Sequence, residues 1–458
     1  MLPEPALSFT IPSLHDGTIL DCRIYHPASL CATNARAPPW RRHAAVVAHP
    51  YAPMGGCYDD PILESVATGL LRTGYLVGTF NFRYLLPWQA HQLRQDQTKQ
   101  LTARRGAGHS AGRTSWTAKP ERDDYASVVG FMVHYIHFLD PFSQVSAPDG
   151  SIEDTTHAAD IPRSVPSSTS PTEIPALLMG GYSYGAMITA QIPPLNKLLE
   201  PFASPHVDSN AAQIRLRAQH LAEQQNVILG STRSAVIQVR SPHSPTRRPC
   251  GVRVGGDEGD RSPRKSHESG GRRSFSLDAE DRFRKGVHEF MAKRRAKHPH
   301  LHLHSGHRRS ASSEMVRNNA REQEDEKGGG TVEIEEEKLP VITGLLRPRP
   351  AYFMVSPLQG LVTHLATMSL LPSRMRHDSD DGSEEKLVLN PTLAVFGDND
   401  VFVPVGRLRG WMAKLGGNAG SLFTGYEVAT AGHFWVEEGV LHVMTERIGA
   451  FASGLICG

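Results

Sequence analysis

Residues 175–191 constrain this chain more than any other stretch. Residues 175–180 are a short, continuous apolar run, which suits a strand buried on both faces of a parallel sheet. Residues 186–191 have the composition of a helix start, and between the two lies Gly181-Tyr182-Ser183-Tyr184-Gly185. A Ser with Gly two residues to either side, set between strand and helix, predicts a sharp turn. In such a turn strand and helix pass so closely that a β-carbon at the flanking positions would collide, and the Ser itself takes a strained backbone conformation. Its Oγ is then exposed above the sheet edge. The free N–H groups at the start of the helix face any negative charge that develops there.

A second copy of the pattern, Gly108-His109-Ser110-Ala111-Gly112, follows an Arg- and Gly-rich run. No strand precedes it and no helix follows, so Ser183 is favoured over Ser110 as the nucleophile. Around Ser183 the chain alternates strand and helix. Residues 7–11 and 18–26 predict an antiparallel hairpin, and residues 44–48 a buried strand. A helix carrying Ile62, Val66, Leu70 and Leu71 on one face comes next, then a strand over 75–80 and an amphipathic helix over 121–139. Strands over 351–355, 392–396 and 425–429 lead to a last helix starting near Val436. The expected fold class is α/β, a doubly wound and mostly parallel sheet.

With the turn at Ser183, this arrangement resembles the α/β-hydrolase superfamily, over roughly residues 1–200 and 340–458. The resemblance implies that an acid and a His follow the nucleophile in that order. After the strand at 392–396, Gly397-Asp398-Asn399-Asp400 is similar to the superfamily's G-x-x-D turn, which makes Asp400 the acid and Asp398 the alternative. Ala431-Gly432-His433 stands where the superfamily carries its His. His433 would accept the Ser183 proton and pass it to the leaving group, while Asp400 orients the imidazole. The tetrahedral oxyanion needs two backbone donors. One is the N–H of Tyr184, directly after the nucleophile. The other belongs to the loop after the strand at 44–48, where His49-Pro50-Tyr51-Ala52-Pro53-Met54-Gly55-Gly56 stands where many relatives have His-Gly. Pro50 has no N–H, so Tyr51 is the candidate and Ala52 the next. This run resembles small intracellular hydrolases near the dienelactone-hydrolase-like and carboxylesterase-like groups.

Three stretches interrupt the alternation. Residues 142–173, rich in Ser, Pro, Thr and Asp, predict a linker within the first part of the core, 1–200. Residues 84–105 separate Asn81-Phe82-Arg83 from a Gly-rich run that relatives place directly after this strand; they are either an added surface loop or a retained intron. The largest interruption is 201–340, before the second part of the core, 341–458. Apart from a helix over 211–222, it predicts a charged and largely disordered insertion. Residues 231–320 hold 20 Lys and Arg against 9 Asp and Glu, and apolar periodicity is lacking. Such composition buries too little apolar surface to offset an ordering cost of about 1–2 kcal/mol per residue.

Composition excludes some classes. A net charge of +2 gives no case for nucleic-acid binding, and the chain contains no apolar run long enough to insert stably in a membrane. The N-terminal residues show no secretory signal, and five Cys without C-x-x-C spacing read as reduced thiols, so a cytoplasmic location is expected. No cofactor is expected: Gly106, Gly108 and Gly112 have the wrong spacing for a dinucleotide loop. The His298–His307 tract carries no set of supporting residues for a metal. Within the insertion, Phe283, Val287, Phe290 and Met291 lie on one face of a basic segment that could meet a protein partner, and paired arginines precede Ser276 and Ser312 as kinases favour. The expected function is a serine hydrolase acting on a small-molecule acyl substrate, a carboxylic ester or thioester, through an acyl-enzyme. The alternatives are an inactive hydrolase-like scaffold whose insertion binds partners and, among enzymes, a peptidase or acyltransferase.

Overall fold

Eight runs of apolar residues join in one sheet. In a computed structural model the described residues are 2–31, 33–34, 39–83, 118–142, 174–240, 337–359 and 383–457. The strands are β1 (Leu7–Pro12), β2 (Ile19–Tyr25), β3 (Ala44–Ala48), β4 (Leu76–Phe80), β5 (Ala176–Tyr182), β6 (Arg349–Val355), β7 (Thr392–Asn399) and β8 (Phe423–Gly432). Their order across the sheet is β1-β2-β4-β3-β5-β6-β7-β8. The pairs β1–β2 and β2–β4 are antiparallel, and every other pair is parallel.

The helices are α1 (Pro61–Arg72), α2 (Lys119–Phe138), α3 (Tyr184–Gln191), α4 (Leu195–Ala203), α5 (Asn210–Arg240), α6 (Ser383–Leu389), α7 (Val405–Gly416) and α8 (Val440–Cys457). They cover both faces of the sheet, which is why the central strands are apolar on both sides. In β3, Ala44, Val46 and Ala48 join the core beneath α2, α3 and α5, while Ala45 and Val47 join the core beneath α1 and α8. Helix α1 starts where Asp60 accepts hydrogen bonds from the N–H groups of Ile62 (2.9 Å) and Leu63 (3.3 Å), with Pro61 in the first turn. That cap is worth about 1 kcal/mol. It also fixes where the loop after β3 must end. Across the sheet, Tyr125 of α2 donates its hydroxyl proton toward the carbonyl of Gly180 (3.1 Å), holding α2 against β5.

This order has a functional consequence. From β3 the chain first returns outward to β4, then crosses to β5 on the other side of β3. The direction of winding therefore reverses at β3, and a crevice opens beyond the C-terminal ends of β3 and β5. The loop with Tyr51 and the turn with Ser183 both lie at those ends. Strand order, layering and the turn after β5 together make this an α/β-hydrolase fold.

Two expected boundaries move. The helix expected over 211–222 is longer: residues 210–240 form α5, and Ala211, Ala212, Ile214, Ala218 and Ala222 are buried. Small side chains let α5 lie close to α2, and Arg215 donates to the carbonyl oxygens of Ala203 (3.2 Å) and Pro340 (2.5 Å). The last helix starts at Val440 and not near Val436, because Trp435 (φ 53°) and Gly439 (φ 78°) bend the chain first. One compact unit spans residues 1–243 and 334–458; the other, 244–333, lies outside the described residues. Also outside them are the 84–105 stretch, Ser110, most of the 142–173 linker, the His298–His307 tract, Ser276, Ser312 and the basic segment at 279–297. Among the described residues no helix is long and apolar enough to cross a membrane.

Candidate active site

Ser183 occupies the turn between β5 and α3 with φ 55° and ψ −111°, a conformation that a non-glycine residue holds only when its surroundings enforce it. The enforcement is steric and polar. A β-carbon on Gly181 would lie 2.6 Å from the carbonyl carbon of Gly185, and one on Gly185 would lie 2.4 Å from the carbonyl oxygen of Ala48. The Ser183 N–H donates to the Val355 carbonyl at 2.8 Å, tying the turn to the end of β6.

His433 reaches this serine from the end of β8. Its Nε2 is 2.9 Å from Ser183 Oγ, and its Nδ1 is 2.7 Å from Asp400 Oδ2. The carboxylate is set in turn by its own loop, because Asp400 Oδ1 accepts the N–H groups of Phe402 (2.8 Å) and Val403 (3.0 Å). The side chains of His433 and Asp400 are almost wholly buried. Burial lengthens the reach of the charge and raises the cost of leaving it unpaired. Asp398 does not join them. It falls where the β7–β8 register slips, between Gly397 and Asn399, and its Oδ1 has no hydrogen-bond partner among the described residues.

Several residues hold this line in place. Tyr182 donates its hydroxyl proton to the His433 carbonyl (2.9 Å), and Trp435 donates Nε1–H to Ser356 Oγ (3.1 Å). Ser356 itself adopts φ 46° at the end of β6. The rings of Phe402 and Phe434 stand edge-on to the imidazole, with centroids 4.6 and 5.5 Å away. None of these supports carries a pattern of its own in the sequence. The closest to a signal is the aromatic pair Phe434-Trp435 directly after His433.

On the other side of the crevice, residues 52–54 form a short 3-10 turn after Tyr51, whose carbonyl accepts the N–H of Met54 at 3.0 Å and of Gly56 at 3.2 Å. The Tyr51 and Tyr184 rings lie 5.1 Å apart, and Phe82 meets Tyr184 edge-on at 5.8 Å. The two expected oxyanion residues are therefore neighbours. Ala52, the other candidate, is the first residue of the 3-10 turn. His49 braces the loop: the Phe82 N–H donates to its Nε2 at 2.8 Å, which leaves the proton on Nδ1 to be donated to the Pro50 carbonyl at 2.5 Å. Burial pushes the pKa of His49 down to about 4, so the ring is neutral and this tautomer persists at neutral pH.

The far end of α3 is also held. Lys386 of α6 is buried and donates from Nζ to the carbonyl oxygens of Thr189 (2.9 Å), Ala190 (3.1 Å) and Ile192. A cation on the last carbonyls of a helix complements its dipole. Burial, and secondarily the charge of Arg122, push the Lys386 pKa well below its usual value. Among the described residues no group of three or more His, Cys, Asp or Glu could hold a metal ion.

No protein-family model and no curated protein matches the chain. Solved structures are similar to it at low identity. One is an alpha-beta serine hydrolase homologue from Coxiella burnetii, 12% identical, covering 98% of this chain and 99% of its own, with a TM-score of 0.38. Another is an a/b serine hydrolase without lid from Xanthomonas campestris, 12% identical, with coverages of 98% and 95% and a TM-score of 0.38. A third is an esterase from Pyrococcus furiosus, 8% identical, with coverages of 98% and 90% and a TM-score of 0.36.

Proposed function

We propose that the protein is a serine hydrolase that cleaves a carboxylic ester or thioester through an acyl-enzyme. The observation that carries this reading is the unbroken hydrogen-bonded line from Ser183 Oγ through His433 to Asp400, at 2.9 and 2.7 Å. Ser183 Oγ attacks the acyl carbon as His433 Nε2 takes its proton, and Asp400 holds the opposite N–H and stabilises the imidazolium. The N–H groups of Tyr184 and Tyr51 receive the oxyanion. Collapse expels the alcohol or thiol, which leaves with the proton from Nε2. Water then attacks the acyl-enzyme by the same route and frees Ser183. Free thiols at Cys22, Cys31 and Cys57 support a cytoplasmic site of action.

A fluorophosphonate probe tests the reading. We expect wild-type protein to label and Ser183→Ala to fail to label, with turnover falling on the order of 10⁶-fold. A folded wild type that takes no label would overturn the hydrolase reading and favour a scaffold.

A further inference from the structure

The two loops that supply Asp400 and His433 share a feature that the chemistry above does not use: large apolar side chains facing water. Val401 is 75% exposed, Phe434 50% and Val436 81%. Single exposed apolar residues are ordinary on a protein surface. These three immediately follow Asp400 or lie within three residues of His433. Phe434 also stacks edge-on against both Phe402 (5.8 Å) and the imidazole (5.5 Å). Phe434 thus forms an exposed apolar rim against the imidazole, and Val401 and Val436 are exposed on the same two loops. The expected oxyanion residues differ: Tyr51, Tyr184 and Phe82 pack ring against ring, with Phe82 and Tyr184 buried.

The position of the rim identifies what it would meet. The imidazole must hand its proton to the departing oxygen or sulfur, so the leaving group passes beside His433. A substituent on that atom then lies along Phe434. We propose, resting on the hydrolase reading, that the released alcohol or thiol is apolar and uncharged, and that Phe434 is the residue that selects it. Charge agrees with this choice. Glu437 and Glu438 come directly after Val436, and one oxygen of Glu437 is buried with no hydrogen-bond partner among the described residues. A polyanionic leaving group would be repelled there.

The test holds the acyl group constant and varies what departs: methyl, butyl and hexyl acetate, with S-hexyl thioacetate set against acetyl coenzyme A. In the wild type kcat/KM should rise about twofold per added methylene against this half-exposed ring, on the order of 30-fold from methyl to hexyl. The neutral thioester should outrun the polyanionic one. Phe434→Ser should lower the hexyl-to-methyl ratio about tenfold, chiefly through KM, and Val436→Ser should lower it less. A flat series, faster turnover of acetyl coenzyme A, or an equal loss on all esters in Phe434→Ser overturns the selectivity while fluorophosphonate labelling of Ser183 persists. Loss of labelling together with loss of all ester hydrolysis overturns the hydrolase reading, and the selectivity falls with it.

Discussion

The turn at Ser183 and the loop at His433 place their side chains by opposite means. At Ser183 the restraint is backbone against backbone: β3, β5 and α3 approach so closely that only glycine fits at 181 and 185. At His433 the restraint is built from side chains: Tyr182 bonds its carbonyl, Phe402 stands edge-on to its ring, and Trp435, two residues on, is tied to Ser356. A backbone restraint is all or nothing, whereas one assembled from side chains yields by degrees. In the proposed hydrolase the first suits a strained nucleophile, and the second suits a ring that accepts and releases a proton.

Substitutions can break or sharpen this contrast. After the loss of Ser183 itself, the largest expected effect comes from the acid. Asp400→Asn keeps the shape and removes the charge that selects the His433 tautomer, so kcat should fall about 10⁴-fold, while Asp398→Asn stays within severalfold of wild type. Steady-state rates on one ester decide the matter, and equal losses would remove Asp400 from its assigned place.

Next is Gly185→Ala, whose methyl would meet the carbonyl oxygens of Ala48 at 2.4 Å and His49 at 2.7 Å, neither of which can give way without parting β3 from α3. We expect a loss of about 3 kcal/mol or more in chemical denaturation. Gly439, beside the histidine loop, has nothing within 4 Å of its would-be β-carbon, and its φ of 78° sets the only penalty. Gly439→Ala should therefore cost about 1 kcal/mol. If the two variants melted alike, steric closure would not be what distinguishes the turn.

The smallest effect is that of Trp435→Phe, which keeps the buried ring and deletes the 3.1 Å hydrogen bond to Ser356. About 1 kcal/mol should be lost, read as a fall of up to about tenfold in kcat with KM little changed. An unchanged kcat would mean that this bond does not orient His433.

The same contrast governs what the sequence disclosed. The turn at 181–185 is legible because its restraint is local, so the residues that create the crowding are adjacent to the one that is crowded. Helix α1 is legible for a similar reason, with Ile62, Val66 and Leu70 repeating on one buried face. Asp400 and His433 could be read from their Gly-marked strand ends. The bonds that steady them could not, since Ser356 and Trp435 lie 79 positions apart and neither residue announces the other. Apolar spacing predicts α5 only to residue 222 because residues 223–236 are mostly exposed and lack a continuous buried stripe. Asn226, which supports the end of α2 through the Phe138 carbonyl (2.8 Å), shows its purpose only once the two helices lie side by side.

Lys386 gives this architecture an order in time. The ammonium that finishes α3 is delivered from 194 to 197 positions further along the chain. On the ribosome, the hydroxyl-bearing segment emerges long before the residue that secures it, and His433 emerges later still. A nascent chain would thus carry Ser183 through most of the remaining synthesis without either its helix-end support or its imidazole partner.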